Sequence, residues 1–533
     1  MLTLLPIVIL LLASVSILVI NRLRPSYSTI WLVATGATLI SWAFLLAQYW
    51  LRTAPFEMIL WRPGEGQPLS IFLQFDQYSW PFAFSLVSLL LAMILTATGQ
   101  VELETVYWVW AGSLGIVGFG LLAVISGNPL TFILTWTLID LVEMAFVLRN
   151  LVAERFEFGV ATVFIVRLVG TALVAWAMMV SQSMGTPMNL NSVLPVVSPY
   201  LLLAAMLRLG VFPVRVAYIK DPHQKRGLGT ILRLVAPASG FAFLSRLPVV
   251  FILPQMTSAL LFVAGTGAFF GAVMWLASDD TLSGRPYLLL YFASLALASV
   301  VRGQPVAVVI WGVALMLIGG VMFLHVLPRR AFLFVSLLGF VGISGLPYTP
   351  AAGGWRGLIR SPLDFWSVIF LLSHAIMMAG YLRHMIKFQS DEREMERWFY
   401  VVYPAGLVLL ALSQWFIAVS GGAGPLTSGV WWASGSSVLI AVLGSVGLRF
   451  WSPGITLDAG RISWLTALGG RVRKFFNNLF SLTWLYQIVR VLYGVVQSIL
   501  GFGIEILEGD AGILWTLLLL TLLISLVISG EVL

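Results

Sequence analysis

The residues able to do chemistry in this sequence are few and lie close together. Asp140 and Glu143 stand three apart in TWTLIDLVEMAF, so one helix face carries both carboxylates. Downstream, FIVRLVG carries Arg167, AAMLRLGVFP carries Arg208 and ILRLVAP carries Arg233. Each of the five sits within an apolar run. A charge at the bilayer centre costs about 2.5–3.5 kcal/mol on insertion scales, so such residues pair with one another or serve an ion. Two arrangements are open: a static ion-pair network that locks a bundle, or an ion-responsive cluster whose cations change carboxylate partners. Arginine stays protonated and is a poor proton carrier.

Other chemistries are excluded. The chain has no cysteine, which removes disulfides, thiolate catalysis and Cys-ligated clusters. Its four histidines, His223, His325, His374 and His384, show no metal-ligand spacing. No nucleotide fingerprint or haem-type histidine pair is visible. No catalytic residue, metal or cofactor is therefore expected of this polypeptide. The formal charge of +8 reads as cytoplasmic loops, not as a nucleic-acid surface.

The elements that must position these residues follow from composition. Of 533 residues, 60% are hydrophobic and 10% charged, against about 25% charged in soluble domains. The apolar runs are long and do not alternate, as in LTLLPIVILLLASVSILVI and AGILWTLLLLTLLISLVIS. A helical span needs about 20 such residues, whereas a barrel strand needs about 10 with alternation. The fold class is an all-α polytopic membrane protein of about sixteen transmembrane helices. Spans begin near residues 2, 28, 79, 106, 129, 158, 196, 228, 256, 286, 305, 331, 363, 402, 427 and 511. The first lacks a basic n-region and a cleavage site and reads as a retained helix. Most Lys and Arg outside the spans fall in odd-numbered loops, which puts those loops in the cytoplasm and both termini outside.

Three stretches depart from a simple serpentine. Residues 54–76 read as a surface hairpin turning at PGEG, and residues 386–399 as a short charged loop. Over 460–507, Phe475, Leu479, Leu482, Leu485, Val489, Leu492 and Val496 recur at helical spacing, with polar residues between them. An amphipathic helix lying along the cytoplasmic membrane surface fits this pattern, and a bent span is the alternative.

Two spans carry helix breakers: Gly210 and Pro213 in the seventh, and Gly345, Pro347, Pro350 and Gly353 in the twelfth. Irregular backbone at membrane depth is tolerated where protein or a water-filled cavity covers it, and transporters place ion sites there. Breaks five helices apart fit two five-helix repeats, the second inverted. The expected organisation is then 1–105 (three helices and the hairpin), 106–247 and 256–386 (the repeats), 400–450 (two helices), 460–507 (lateral helix) and 511–530 (terminal anchor).

At this point the residues resemble the antiporter-like membrane subunits of respiratory complex I, Mrp antiporters and membrane hydrogenases. FLQFDQYSWPF is similar to the family's Asp-plus-Ser entry into span three, and SGNPLTFILTW to the lead into span five. LRLGVFPVRVAYIKDP resembles its span-seven stretch, in which a Lys stands five residues before a Pro, so Arg208 takes the Lys position before Pro213. LLLYFASLALASVV resembles the span-ten run, with Asp280 and Arg285 just ahead of it. GISGLPYTPAAGGWRG resembles span twelve, with Arg356 nearest to its Lys. The lateral helix and terminal anchor resemble those of the longest complex I member.

The departures fall on the working groups. Thr137 stands where the family has a Glu, with Asp140 one turn on, and Gly319 and Gly320 stand where span eleven carries a Lys. His325 and His374 are the titratable groups left in the second half, as relay groups or as hydrogen-bonded bundle residues. The resemblance implies an ion-translocating subunit in a bacterial-type inner membrane, with other membrane subunits, the lipid bilayer and protons or Na+ as partners. Asp140, Glu143, Arg167, Arg208, Arg233, His325, Arg356 and His374 are then the translocation candidates, with Arg208 moving between carboxylates. Any NADH:quinone oxidoreductase activity would belong to the complex. The other readings are a paralogue that scaffolds a complex without its own ion pathway, and a secondary transporter for a small anion held by Arg208 and Arg233.

Overall fold

The computed structural model describes residues 2–23, 27–51, 53–61, 69–97, 103–150, 158–186, 188–190, 193–211, 226–248, 252, 254–325, 330–386, 399–420, 427–451 and 510–528, with scattered helical positions between 487 and 501. Pro213, the PGEG turn, the charged loop and nearly all of the amphipathic segment lie outside the described residues. Residues Met1–Arg461 form one compact unit and Ile462–Leu533 a second.

A chain in hydrocarbon must satisfy its backbone internally, and helices do so within one segment. The first unit accordingly runs α1 (Leu5–Leu23), α2 (Tyr27–Leu51), β1 (Phe56–Trp61), β2 (Leu69–Leu73), α3 (Ser79–Ala97), α4 (Leu103–Val124), α5 (Pro129–Asn150), α6 (Phe158–Ser183), α7 (Ser198–Leu209) and α8 (Gly227–Ser245). It continues through α9 (Pro254–Ala277), α10 (Thr281–Val301), α11 (Pro305–Ala314), a π turn (Leu315–Gly319), α12 (Gly320–Leu324), α13 (Arg330–Ser344), α14 (Phe365–Ile386), α15 (Phe399–Val419) and α16 (Trp431–Trp451). In the second unit the described helix is α17 (Asp510–Ile528). Among the described residues, 12 helices are long and apolar enough to cross a membrane, α11, the π turn and α12 together counting as one. Four shorter apolar helices accompany them, within Pro195–Leu209, Leu333–Ser344, Trp431–Ser445 and Gly512–Ser525. The chain is a multi-pass helical membrane protein.

The helices sort into a centre and a rim. In α3, α8, α10 and the Pro305–Leu324 span, 89% or more of the apolar window is buried within the protein, whereas in α2 and α6 the share is 28%. Chemistry shielded from lipid therefore belongs beside the first four.

Polar caps fix where the site-bearing helices start. Asn128 takes the N-cap position of α5, its Oδ1 accepting from the Thr131 amide at 2.8 Å. Its Nδ2 donates to the Ser70 carbonyl at 2.7 Å, and the Phe72 amide donates to Thr131 Oγ1 at 2.9 Å. The β1–β2 hairpin, paired antiparallel from Phe56↔Leu73, is thus stitched to the start of α5. Asp76 does the same for α3: its Oδ1 accepts from the Ser79 amide at 2.7 Å, and its Oδ2 lies 3.0 Å from Arg246 Nη2 at the end of α8.

Close backbone approach sets the second half. A Cβ on Gly271 of α9 would lie 2.8 Å from the Tyr287 carbonyl oxygen and 2.9 Å from the Tyr291 nitrogen, so α9 and α10 meet backbone to backbone. Two helices end in left-handed glycines. α7 closes at Gly210, φ 69°, with the Val211 amide donating to the Met206 carbonyl at 3.0 Å. α13 closes before Gly345, φ 68°, where a Cβ would come within 2.0 Å of Trp355 Nε1. From there the chain is irregular through Pro347 to a 3-10 turn, Ala352–Gly357. The π turn falls where Gly319 and Gly320 replace the Lys of the resembled pattern; single π turns inside helices recur at functional sites.

Candidate functional site

Four of the five membrane-depth charges form one buried network. Arg208 Nη1 lies 2.5 Å from Asp140 Oδ2, the two side chains being 0% and 4% exposed. The Arg208 Nε donates to Ser239 Oγ at 3.3 Å, and its guanidinium carbon stands 5.0 Å from the centre of the Trp136 ring. Ser239 is held in turn, its hydroxyl donating to the Ala236 carbonyl at 2.6 Å. Trp136 lies one helical turn before Asp140, so α5 supplies both the carboxylate and the aromatic face that grip the cation.

The second cation is shared. Arg167 Nη1 lies 2.5 Å from Glu143 Oε2 and 3.6 Å from Asp140 Oδ1. The three-residue spacing of the carboxylates puts both within reach of one guanidinium entering from α6. Among the described residues the ion pair of Arg208 is with Asp140, and the cation standing between the two acids is Arg167.

Arg233 enters differently. It joins Arg167, Arg208 and Arg285 in lining an open cleft between α6, α7, α8, α10 and α12. Two further cleft residues are Pro237 of α8 and Pro286 of α10. Each lacks the amide that would close a helical turn, which frees a carbonyl and loosens packing at that level. Arg285 was legible only as a residue ahead of span ten; in the fold its Nη1 donates to Thr230 Oγ1 at 3.2 Å and so ties α10 to α8.

In the second half, His374 is fully buried on α14. Its Nδ1 is hydrogen-bonded to the Tyr291 hydroxyl of α10 at 2.6 Å. The Trp355 ring, from the 3-10 turn after Gly345, packs edge-on with its centre 5.0 Å from the imidazole. His374 therefore sits beside the irregular stretch that follows α13. Tyr291 was missed from sequence, although a hydroxyl in LLLYFASLALASVV was the available signal.

His325 lies elsewhere, just past α12, where Arg226 Nη1 donates to its carbonyl at 2.6 Å. Burial, with the Arg226 cation beside it, pushes the His325 imidazole down to about 4. It is neutral near pH 7. Arg356 is exposed on the 3-10 turn, and the structure does not bring it to His374. No group of three or more metal-ligating side chains occurs among the described residues.

Comparison with known proteins returns structures alone. No family model matches the chain, and no curated protein matches it in sequence. A chain of the Mrp complex from Dietzia sp. DQ12-45-1b superposes with TM-score 0.63 at 14% identity, over 93% of this chain and 62% of that one. This chain therefore spans less than two thirds of the Mrp chain's length. A chain of the membrane-bound sulfane sulfur reductase, an archaeal respiratory membrane complex, superposes with TM-score 0.67 at 13% identity, over 97% of this chain and 99% of that one. A chain of respiratory complex I from Thermus thermophilus gives TM-score 0.55 at 18% identity, over 80% of this chain and 100% of that one. At such identities the likeness is one of fold, and it falls on the kinds of complex that the sequence motifs resemble.

Proposed function

We propose that this chain is an antiporter-like subunit of a respiratory, NADH:quinone oxidoreductase-like or Mrp-like membrane complex, and that it translocates protons or Na+. The observation that carries the reading is Arg167 Nη1 poised between two carboxylates, 2.5 Å from Glu143 and 3.6 Å from Asp140. A proton arriving on Asp140 weakens its hold on Arg208 and leaves Arg167 on Glu143. A proton on Glu143 instead draws Arg167 toward Asp140. The arginines keep their charge and the carboxylates carry the proton or cation. An exchange of partners over about an ångström needs no change of fold.

The rest of the layout supports this reading. Residues 106–247 and 256–386 form two repeats of five spans, the second inverted, within a total of sixteen, with helix breaks at Gly210 and Gly345. Beside the second break, the His374–Tyr291 pair is the titratable counterpart of the acidic pair in the first half. The odd loops face the cytoplasm of a bacterial-type cell, both termini face outward, and residues 460–507 lie along neighbouring subunits. Any redox chemistry belongs to the assembled complex.

A second reading, a scaffold subunit with static ion pairs, is favoured by one observation. The Arg208 side chain is 0% exposed and is held by Asp140, Ser239 and Trp136 together. The two part in proteoliposomes containing the native assembly, with proton and sodium flux measured for wild type, Asp140→Asn and Arg208→Ala and assembly checked by size. Lost flux in an intact assembly supports translocation. Unchanged flux with weakened assembly supports the scaffold.

A further inference from the structure

The cleft lined by Arg167, Arg208, Arg233 and Arg285 is more than the back of the acidic network. Four guanidiniums, contributed by four different helices, converge on one space, and among the described residues that line it there is no carboxylate. Arg208 also keeps a buried Nη2 without a hydrogen-bond partner, although its Nη1 and Nε are engaged. The guanidinium fork matches the oxygens of a phosphate, donating two parallel bonds to one group, and is the side chain best suited to that task inside a membrane protein.

The remaining lining tells what carries the phosphate. Apart from Gly210 it is apolar, including Val163 and Val166 of α6, Leu289 of α10 and Phe323 of α12. A free phosphate gains nothing from such walls, whereas an amphiphile buries its glycerol and first acyl carbons against them. The adjoining face of α6 presents Ile165, Leu168 and Val169, which are 55%, 46% and 47% exposed, as a lipid-facing surface does. The cleft also gathers the end of α7, the second and third turns of α8 and α10 and the end of α12, in the odd-loop half of the bundle. Basic pockets between helices on the cytoplasmic side are where anionic headgroups are held.

We infer that this cleft binds the phosphate headgroup of an anionic membrane lipid between α6, α8 and α10. The inference is independent of ion transport, because occupancy is read without flux.

The test uses the purified native assembly, stripped of endogenous lipid in detergent. Binding of dihexanoyl phosphatidylglycerol, dihexanoyl phosphatidylcholine and inorganic phosphate is followed by native mass spectrometry and thermal shift. Wild type is expected to bind dihexanoyl phosphatidylglycerol at least tenfold more tightly than either other probe. Arg233→Gln should weaken it at least tenfold, Arg233→Lys should retain most of it, and Arg22→Gln, a change on the exposed end of α1, should leave it unaltered. Each variant is first shown to assemble by size, and Arg285→Gln is the second cleft variant should Arg233→Gln fail to assemble. Equal binding of inorganic phosphate would overturn the lipid assignment in favour of a free oxyanion. An equal loss in Arg22→Gln, or no binding by wild type, would overturn the site.

Discussion

Removing either partner of the Arg208–Asp140 pair should destabilise the bundle, and by unequal amounts. At an effective dielectric constant near 20, unit charges 2.5 Å apart attract by about 7 kcal/mol gross, most of it offset by the desolvation of both groups. If Arg208 becomes Met, Asp140 is not stranded, because Arg167 waits 3.6 Å away and supplies about 5 kcal/mol of the same gross attraction. If Asp140 becomes Leu, Arg167 keeps Glu143 at 2.5 Å but Arg208 is left buried with Ser239 and the Trp136 face alone. Breaking a buried pair so that a charge is stranded costs about 3–5 kcal/mol. Arg208→Met should therefore cost about 2 kcal/mol and Asp140→Leu about 3–5 kcal/mol. The double variant should return to within about 1 kcal/mol of wild type, since an apolar pair of similar volume replaces a buried ion pair at little cost. The assay is reversible unfolding of the assembly in mixed micelles, read as a double-mutant cycle. Arg208→Met costing as much as Asp140→Leu would refute the claim that Arg167 takes over. Negligible coupling would refute the pair itself.

The other expectations concern packing and pH. Gly271→Ala should force α9 from α10 and cost about 1–3 kcal/mol, because its Cβ meets backbone atoms at 2.8 and 2.9 Å; thermal unfolding of the assembly checks it, and a neutral result would mean the helices are further apart. Gly345→Ala combines a left-handed φ of 68° with a Cβ 2.0 Å from Trp355 Nε1, so it should cost more than Gly271→Ala and displace the ring that packs on His374, seen as altered tryptophan fluorescence. His325, pushed down to about 4 in the fold from an ordinary value near 6.5, favours the neutral folded state; its contribution is full above about pH 6.5 and is lost as pH falls toward 4. His325→Gln should therefore flatten the acid limb of the stability profile, and an unchanged limb would contradict that assignment.

How much of this was legible in the sequence depends on what each signal measures. A charge inside an apolar run is costly wherever it lies, so Asp140, Glu143, Arg167 and Arg208 announced themselves, and the i,i+3 rule gave their shared face. The partner of each cation was not legible, because spacing on α5 does not say which guanidinium approaches from another helix. Spacing left Arg167, Arg208 and Arg233 all open as partners, and the cation within reach of both acids is Arg167. The Tyr291–His374 contact joins residues 83 apart, which no local pattern encodes. The π turn at Leu315–Gly319 had only two adjacent glycines at its end as a cue. Arg356 shows the opposite failure: a motif match fixes register along the chain but not the direction of a side chain, and this one points outward. The helix starts near residues 79, 129 and 228 were readable because apolar runs and caps such as Asn128 both mark them.

The central claim is that Asp140 takes up and releases a proton, loosening and regaining its hold on Arg208 while Arg167 stays on Glu143. Infrared difference spectroscopy of the assembly in membranes, under a proton gradient imposed in each direction, measures this most directly. A carboxylic C=O band should grow and decay with the direction of the gradient, vanish in Asp140→Asn and shift in Arg167→Lys. A spectrum identical in wild type and Asp140→Asn while ions still cross the membrane would contradict it.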